Sequence, residues 1–274
     1  MIRLRLLLIC LCSMGPLEVR ATESITVQST PDGIRYSMLG GKPAAPAATL
    51  FLFATDCVAA LQDPSFNLVA KLVQEEGGFV CVSLDLPAHG EDARPGQPYA
   101  LKGWHARAVQ GEDFVSPFAA RATALLDHLI KEGYTDPHRV AVAGISRGGF
   151  LAFQVAARDP RFGAIVGFSP VTDLLALTEF TGAEHYPVVA ALAGLQIVDR
   201  LAGRPIWIMI GSNDSRVGTS QCIAFARVLT AAGQTPDRVA PVELHVMPSP
   251  GHRTPTNAPK LAAAWLREQM ARRP

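Results

Sequence analysis

A serine, an aspartate and a histidine, in that chain order, carry the chemistry open to this sequence: Ser146, Asp214 and His252. A serine hydroxyl is a weak nucleophile until a base takes its proton and a third group orients that base. Ser146 stands in Gly144-Ile145-Ser146-Arg147-Gly148-Gly149, directly after the apolar run Val140–Ala143 and before the helix-like run Phe150–Arg158. A serine at a strand-to-helix turn, with glycine two residues to each side, is the pattern of a nucleophile elbow. The glycines let the chain reverse sharply while strand and helix come close. The same turn sets a new helix N-terminus, with its free N–H groups, beneath the reacting atom. The chemistry this would support is attack of the serine oxygen on an acyl carbonyl.

When the elbow comes first, the acid follows and the histidine comes last. The acid is expected at the end of a strand, where Ile208-Met209-Ile210-Gly211-Ser212-Asn213 leads into Asp214. The base is expected in the loop after the last strand, where Pro248-Ser249-Pro250-Gly251 leads into His252. The plainer readings are a turn or capping aspartate and an exposed loop histidine. Rival histidines fit less well. His245 lies inside the last strand, His128 and His138 lie around the helix before the elbow, and His89 and His105 lie in a long connection beside a prospective pocket. Asp173 and Glu179 are rival acids.

The elements that must position these residues alternate. Ser24–Gln28 and Ile34–Met38 flank Thr30-Pro31-Asp32-Gly33, which predicts a hairpin. Leu50–Ala54 is a continuous apolar run, as expected of a strand buried on both faces. Thr55–Ser65 reads as a loop, Asn67–Glu76 as a helix ended by Gly77-Gly78, and Phe79–Leu86 as the next buried strand. Pro87–Val115 is a long polar connection, a kind of segment that often carries function or a lid. Ser116-Pro117 opens a helix that ends at Gly133. After the elbow come a strand at Ala164–Phe168, a partly helical insertion over Ser169–Gly203, and a strand at Ile206–Ile210. A helix over Thr219–Ala232, a strand over Val242–Met247 and a helix over Pro259–Met270 close the chain. Such alternation specifies an α/β fold, a mostly parallel sheet with helices on both faces, in one domain spanning residues 24–274.

The chain has 274 residues, 18% of them charged, and a formal net charge of +1. That near-neutral balance speaks against nucleic acid or an anionic membrane as partner. Residues 1–21 read as a signal peptide: Arg3 and Arg5, then the apolar Leu6–Leu11, then Val19-Arg20-Ala21 as a cleavage site. The apolar run is too short to span a membrane, so a secreted or periplasmic protein is expected. Cys57, Cys81 and Cys222 remain, with no metal-binding spacing. Neither a metal nor an organic cofactor is expected.

The chain resembles the α/β-hydrolase superfamily over its whole mature length. The resemblance rests on Asp85-Leu86-Pro87-Ala88-His89-Gly90, Gly144-Ile145-Ser146-Arg147-Gly148-Gly149, Gly211-Ser212-Asn213-Asp214 with Val217, and Gly251-His252. Within the superfamily it most resembles the dienelactone-hydrolase, acetyl-xylan-esterase and prolyl-oligopeptidase-like group. The resemblance implies a Ser146–His252–Asp214 triad and an acyl-enzyme intermediate. It also implies an oxyanion hole built from the backbone N–H of Arg147 and a second N–H after the third strand. Many relatives carry His-Gly there; this chain has Ala54-Thr55-Asp56, so Thr55 or Asp56 is the expected donor. Trp104, His105, Arg107 and the insertion at 170–203 are expected to shape the pocket. Arg147, Arg94 or Arg107 would favour an acidic acyl or sugar-acid group, with solvated surface as the plainer reading of each. The expected substrate is a small ester, because only residues 22–46 separate the signal from the third strand and leave no room for a propeller. The alternatives are a prolyl-oligopeptidase-like peptidase without a propeller and a non-catalytic binding protein on the same fold.

Overall fold

The computed structural model describes residues 24–273; the expected signal segment, residues 1–21, lies outside them. The strands β1 (Ile25–Ser29) and β2 (Arg35–Leu39) form the antiparallel hairpin expected around Pro31-Asp32-Gly33. There follow β3 (Ala47–Phe53), α1 (Cys57–Gln62), α2 (Pro64–Gly77), β4 (Val80–Leu84), α3 (Ala100–Val109) and α4 (Val115–Lys131). Then come β5 (Thr135–Ile145), α5 (Arg147–Arg158) and β6 (Phe162–Phe168). The small insertion after β6 holds two short helices, α6 (Pro187–Ala191) and α7 (Val198–Leu201). The chain closes with β7 (Ile206–Gly211), α8 (Thr219–Gly233), β8 (Val242–Met247) and α9 (Ala258–Ala271).

The eight strands form one sheet in the order β1-β2-β4-β3-β5-β6-β7-β8. From β4 to β8 every pairing is parallel, and β2 joins β4 antiparallel. Side chains in a strand alternate between faces, and here the alternation builds two cores. Phe51, Phe53, Val140, Val142, Ile206 and Ile208 face one core with α3, α4, α5 and α8. Leu50, Leu52, Ala141, Ala143, Trp207 and Met209 face the other with α2 and α9. The continuous apolar runs that marked these strands follow from burial on both sides. Because β3, β5, β7 and β8 run parallel, their C-terminal ends share one edge of the sheet, where ligands bind in open α/β sheets.

Two expected loops contain helices. Thr55–Ser65 holds α1, begun when the Asp56 carboxylate accepts the N–H of Ala59 at 3.0 Å and the distant Asp85 accepts that of Cys57 at 2.7 Å. Pro87–Val115 holds α3, whose Leu101, Trp104 and Ala108 are buried. The cap of α4 also differs: Asp113, not Ser116, receives the free N–H groups of Val115 and Ser116. Cys57, Cys81 and Cys222 are buried and form no disulfide among the described residues. Among the described residues no helix is long and apolar enough to cross a membrane.

Candidate active site

Ser146 sits between β5 and α5 with φ 56° and ψ −116°. A side chain in this region costs about 1–3 kcal/mol, so the surroundings must hold it there. They do so through the backbone on both sides: Ser146 N–H donates to Phe168 O at 2.9 Å, and Ser146 O accepts from Phe150 N at 3.2 Å and Val171 N at 3.1 Å. The flanking glycines are required by contact. A Cβ at Gly144 would overlap the Gly148 carbonyl, and one at Gly148 would overlap that of Phe53. β3, the elbow and α5 therefore touch backbone to backbone.

Asp214 lies three residues past the end of β7 with its side chain fully buried. Its Oδ1 accepts from Arg216 N at 3.0 Å and Val217 N at 3.3 Å, and its Oδ2 meets His252 Nδ1 at 2.8 Å. Its own N–H donates to Thr219 Oγ1, which in turn donates to Gly211 O at 2.6 Å. The carboxylate is thus fixed in direction. It selects the His252 tautomer with hydrogen on Nδ1 and a lone pair on Nε2, the state a general base needs. Ser249 Oγ bonds Gly251 O at 2.8 Å and shapes the loop that delivers His252. Ser146 and His252 line one cavity of ≈ 520 Å³. They are not hydrogen-bonded to each other in this structure, a contact that in many hydrolases tightens only when substrate is bound.

The rival residues are occupied elsewhere. Glu179 pairs with Arg216, and Asp173 caps a short turn through Leu175 N. His245 stacks on Trp207, and His128 packs edge-on against Tyr36. His89 is buried, bonded through Nδ1 to Pro87 O at 2.9 Å, and burial pushes its pKa down to about 4.

Three expected pocket residues do not line the cavity. Trp104 is buried in the core and donates Nε1–H to Pro87 O at 2.6 Å. Arg107 is buried against Asp92, with Nη1 to Oδ2 at 2.6 Å. His105 packs edge-on against Phe180. A helix through their segment turns these side chains inward or along the insertion, where an irregular loop would have left them free. The lining instead includes Ser65, Phe66, Leu101, Arg147, Arg216 and Arg253. Arg216 and Arg253 were missed, although each stands within two residues of Asp214 or His252 in sequence. Beside the cavity, and sharing Phe66 and Ile145 with it, runs an apolar groove of ≈ 220 Å³ walled by Pro64, Val69 and Phe168.

At the expected oxyanion position the N–H groups of Thr55, Asp56 and Arg147 donate to no acceptor among the described residues. The Asp56 carboxylate, which would oppose a developing oxyanion, is turned into α1 as its cap. Arg147 and Ala54 line the cavity; Thr55 and Asp56 follow Ala54 directly in sequence. The long connection is fastened from behind. Asp85 accepts from Cys57 N, Glu91 N and the Arg35 guanidinium. Burial alone would raise the Asp85 pKa, but these bonds outweigh it and hold the carboxyl below its ordinary value.

A profile of the prolyl oligopeptidase family matches residues 119–271, a span that contains Ser146, Asp214 and His252. The chain is 39% identical over 142 residues to the dual function macrocyclase-peptidase POPB of Amanita bisporigera, covering 44% of this chain and 19% of that one. It spans about a fifth of the length of the curated relatives it matches. Among solved structures, TT1662 from Thermus thermophilus superposes with a TM-score of 0.64 at 18% identity, covering 90% of this chain and 98% of that one. Acetyl xylan esterase 1 from Thermoanaerobacterium sp. gives 0.60 at 17% identity, covering 90% and 88%. At such identities the structural likeness establishes the α/β-hydrolase fold.

Proposed function

Because this chain belongs to the prolyl oligopeptidase family and is a serine hydrolase, we propose that it cleaves small carboxylic esters with Ser146 as nucleophile, His252 as general base and Asp214 as the group that orients His252. One observation carries the assignment of roles: the His252–Asp214 bond of 2.8 Å holds the imidazole at the rim of the cavity that also receives the strained Ser146.

The proposed reaction follows from that geometry. His252 Nε2 takes the Ser146 proton as Oγ attacks the ester carbonyl, and the buried Asp214 carboxylate stabilises the imidazolium. The tetrahedral oxyanion rests on the Arg147 N–H and one N–H of Thr55 or Asp56. His252 then protonates the departing alcohol, the acyl–Ser146 ester remains, and water activated by His252 releases the acid. The cavity volume of ≈ 520 Å³ suits a small molecule. The Glu179–Arg216 pair ties the insertion after β6 to the loop carrying Asp214 and braces that side of the site.

A second reading, cleavage of a peptide bond, is favoured by the macrocyclase-peptidase relative. The same catalytic groups serve both reactions, so substrate preference must be measured. The test is a panel of 4-nitrophenyl esters and of matched peptide anilides on wild-type protein and Ser146→Ala. Ester turnover exceeding anilide turnover, lost by at least about 10³-fold in Ser146→Ala, is expected. Anilides cleaved in preference would establish the peptidase reading; full activity in Ser146→Ala would refute both.

A further inference from the structure

We propose that the cavity takes an ester that carries a free carboxylate, with the Arg147 guanidinium as its principal partner and Arg253 as its second; this rests on the ester-hydrolase reading of the same site. Three arginines line the cavity, Arg147, Arg216 and Arg253, and no aspartate or glutamate does. Each follows one of the three proposed catalytic residues by one or two positions, so the cationic wall is built by the loops that deliver the triad.

The three charges differ in what surrounds them. Arg216 is neutralised, its two Nη atoms lying 2.8 and 2.6 Å from the Glu179 carboxylate. Arg147 has no carboxylate partner among the described residues; its guanidinium bonds only through Nε, to Ala54 O at 3.2 Å, which leaves both Nη groups free. Arg253 is exposed at the rim and makes no ion pair among the described residues. Away from the cavity, Arg94 is paired with Glu112 and Arg107 with Asp92. Two of the three arginine charges at the cavity are therefore open to an incoming anion.

Burial pushes the Arg147 guanidinium below its ordinary pKa. A cation drawn from water without a bonded counter-ion is costly, and an incoming anion offsets part of that cost. The planar fork of two Nη groups matches the two oxygens of a carboxylate. The apolar groove beside the cavity offers a separate place for a small apolar alcohol or aryl group. The substrate class is thus the half-ester of a dicarboxylic acid. With one water it gives the dicarboxylic acid and the alcohol: the acyl C–O bond breaks, and the alcohol leaves with the proton passed through His252.

The test compares mono-4-nitrophenyl adipate with 4-nitrophenyl hexanoate, which differ only by carboxylate against methyl at the far end. The wild-type protein is expected to favour the adipate half-ester in kcat/KM by at least about tenfold at low salt, chiefly through KM. Arg147→Gln is expected to bring the ratio close to one. A wild-type ratio of one or less, or a ratio unchanged in Arg147→Gln, would overturn the proposal while leaving ester hydrolysis standing. Calorimetric binding of adipate to Ser146→Ala reads the anion site without turnover. Binding is expected there and is expected to weaken at least about tenfold when Arg147→Gln is added; no binding to Ser146→Ala would overturn the site. If adipate binds and neither ester is hydrolysed by the wild type, the reaction is wrong and the anion site stands.

Discussion

Asp214 is the residue on which the proposed chemistry turns. Its carboxylate is buried, held by two backbone N–H groups and bonded to the imidazole that must act as base. Replacing it by Asn keeps the shape but offers an N–H where Nδ1–H needs an acceptor, or forces the tautomer with hydrogen on Nε2. Asp214→Asn is therefore expected to lower kcat by about 10³–10⁴-fold with little change in KM. A loss below about tenfold would show that His252 does not rely on this carboxylate. That Asp214 meets His252 and that Ser146 shares a cavity with His252 was legible in sequence, because each follows the C-terminal end of a strand in the chain order that a parallel sheet with the elbow first requires. Of the pocket residues Arg147 was legible and lines the cavity, whereas Trp104, His105 and Arg107 do not. Trp104 and Arg107 are a large aromatic and a cation in a polar stretch, which reads as a binding wall. Only the helix through 100–109 reveals that both are buried away from the cavity.

At the scale of elements, the site depends on how closely β3, β5 and α5 approach. Gly148 lies against the Phe53 carbonyl, so no side chain fits without parting the helix from the sheet. Gly148→Ala is expected to destabilise the fold by about 3 kcal/mol or more, which for a chain of this size lowers Tm by about 6–12 °C in a thermal scan. An unchanged Tm would mean that α5 can shift freely, and that the elbow is not clamped as described. The strands and long helices were readable because their apolar periods are set by burial on one face or two. The short α1 was not. Ala59, Ala60, Leu61 and Gln62 favour a helix, but the run is only six residues long, and its first N–H groups are satisfied by Asp56 beside it and by Asp85 far along the chain. A helix of six residues is too short to hold by itself and is decided by tertiary structure.

Across the whole molecule, the face behind the site sets how the protein tolerates acid. His89 is fully buried with its pKa pushed from 6.5 to about 4, so the folded protein keeps it neutral. Between those values the unfolded chain binds a proton that the folded chain does not, and stability falls as pH falls. From pH 7 to pH 5 this amounts to about 2 kcal/mol, and it adds nothing further well below pH 4. Asp85, whose pKa is depressed, loses its contribution only below the ordinary carboxylate value, in a separate and more acidic window. Urea midpoints at pH 7 and pH 5 should therefore differ in the wild type, and His89→Gln should remove most of the difference. An equal pH dependence in that variant would mean that His89 is protonated in the folded state or is not the group responsible.

The arrangement of sheet, elbow and loops has one chemical purpose in this account: to make a single hydroxyl reactive through a single imidazole. Treatment with a fluorophosphonate followed by peptide mass mapping reads that directly. The expected result is one adduct, on Ser146, formed in the wild type and absent from His252→Ala under the same conditions. An adduct on any other residue, or equal labelling of Ser146 without His252, would contradict it.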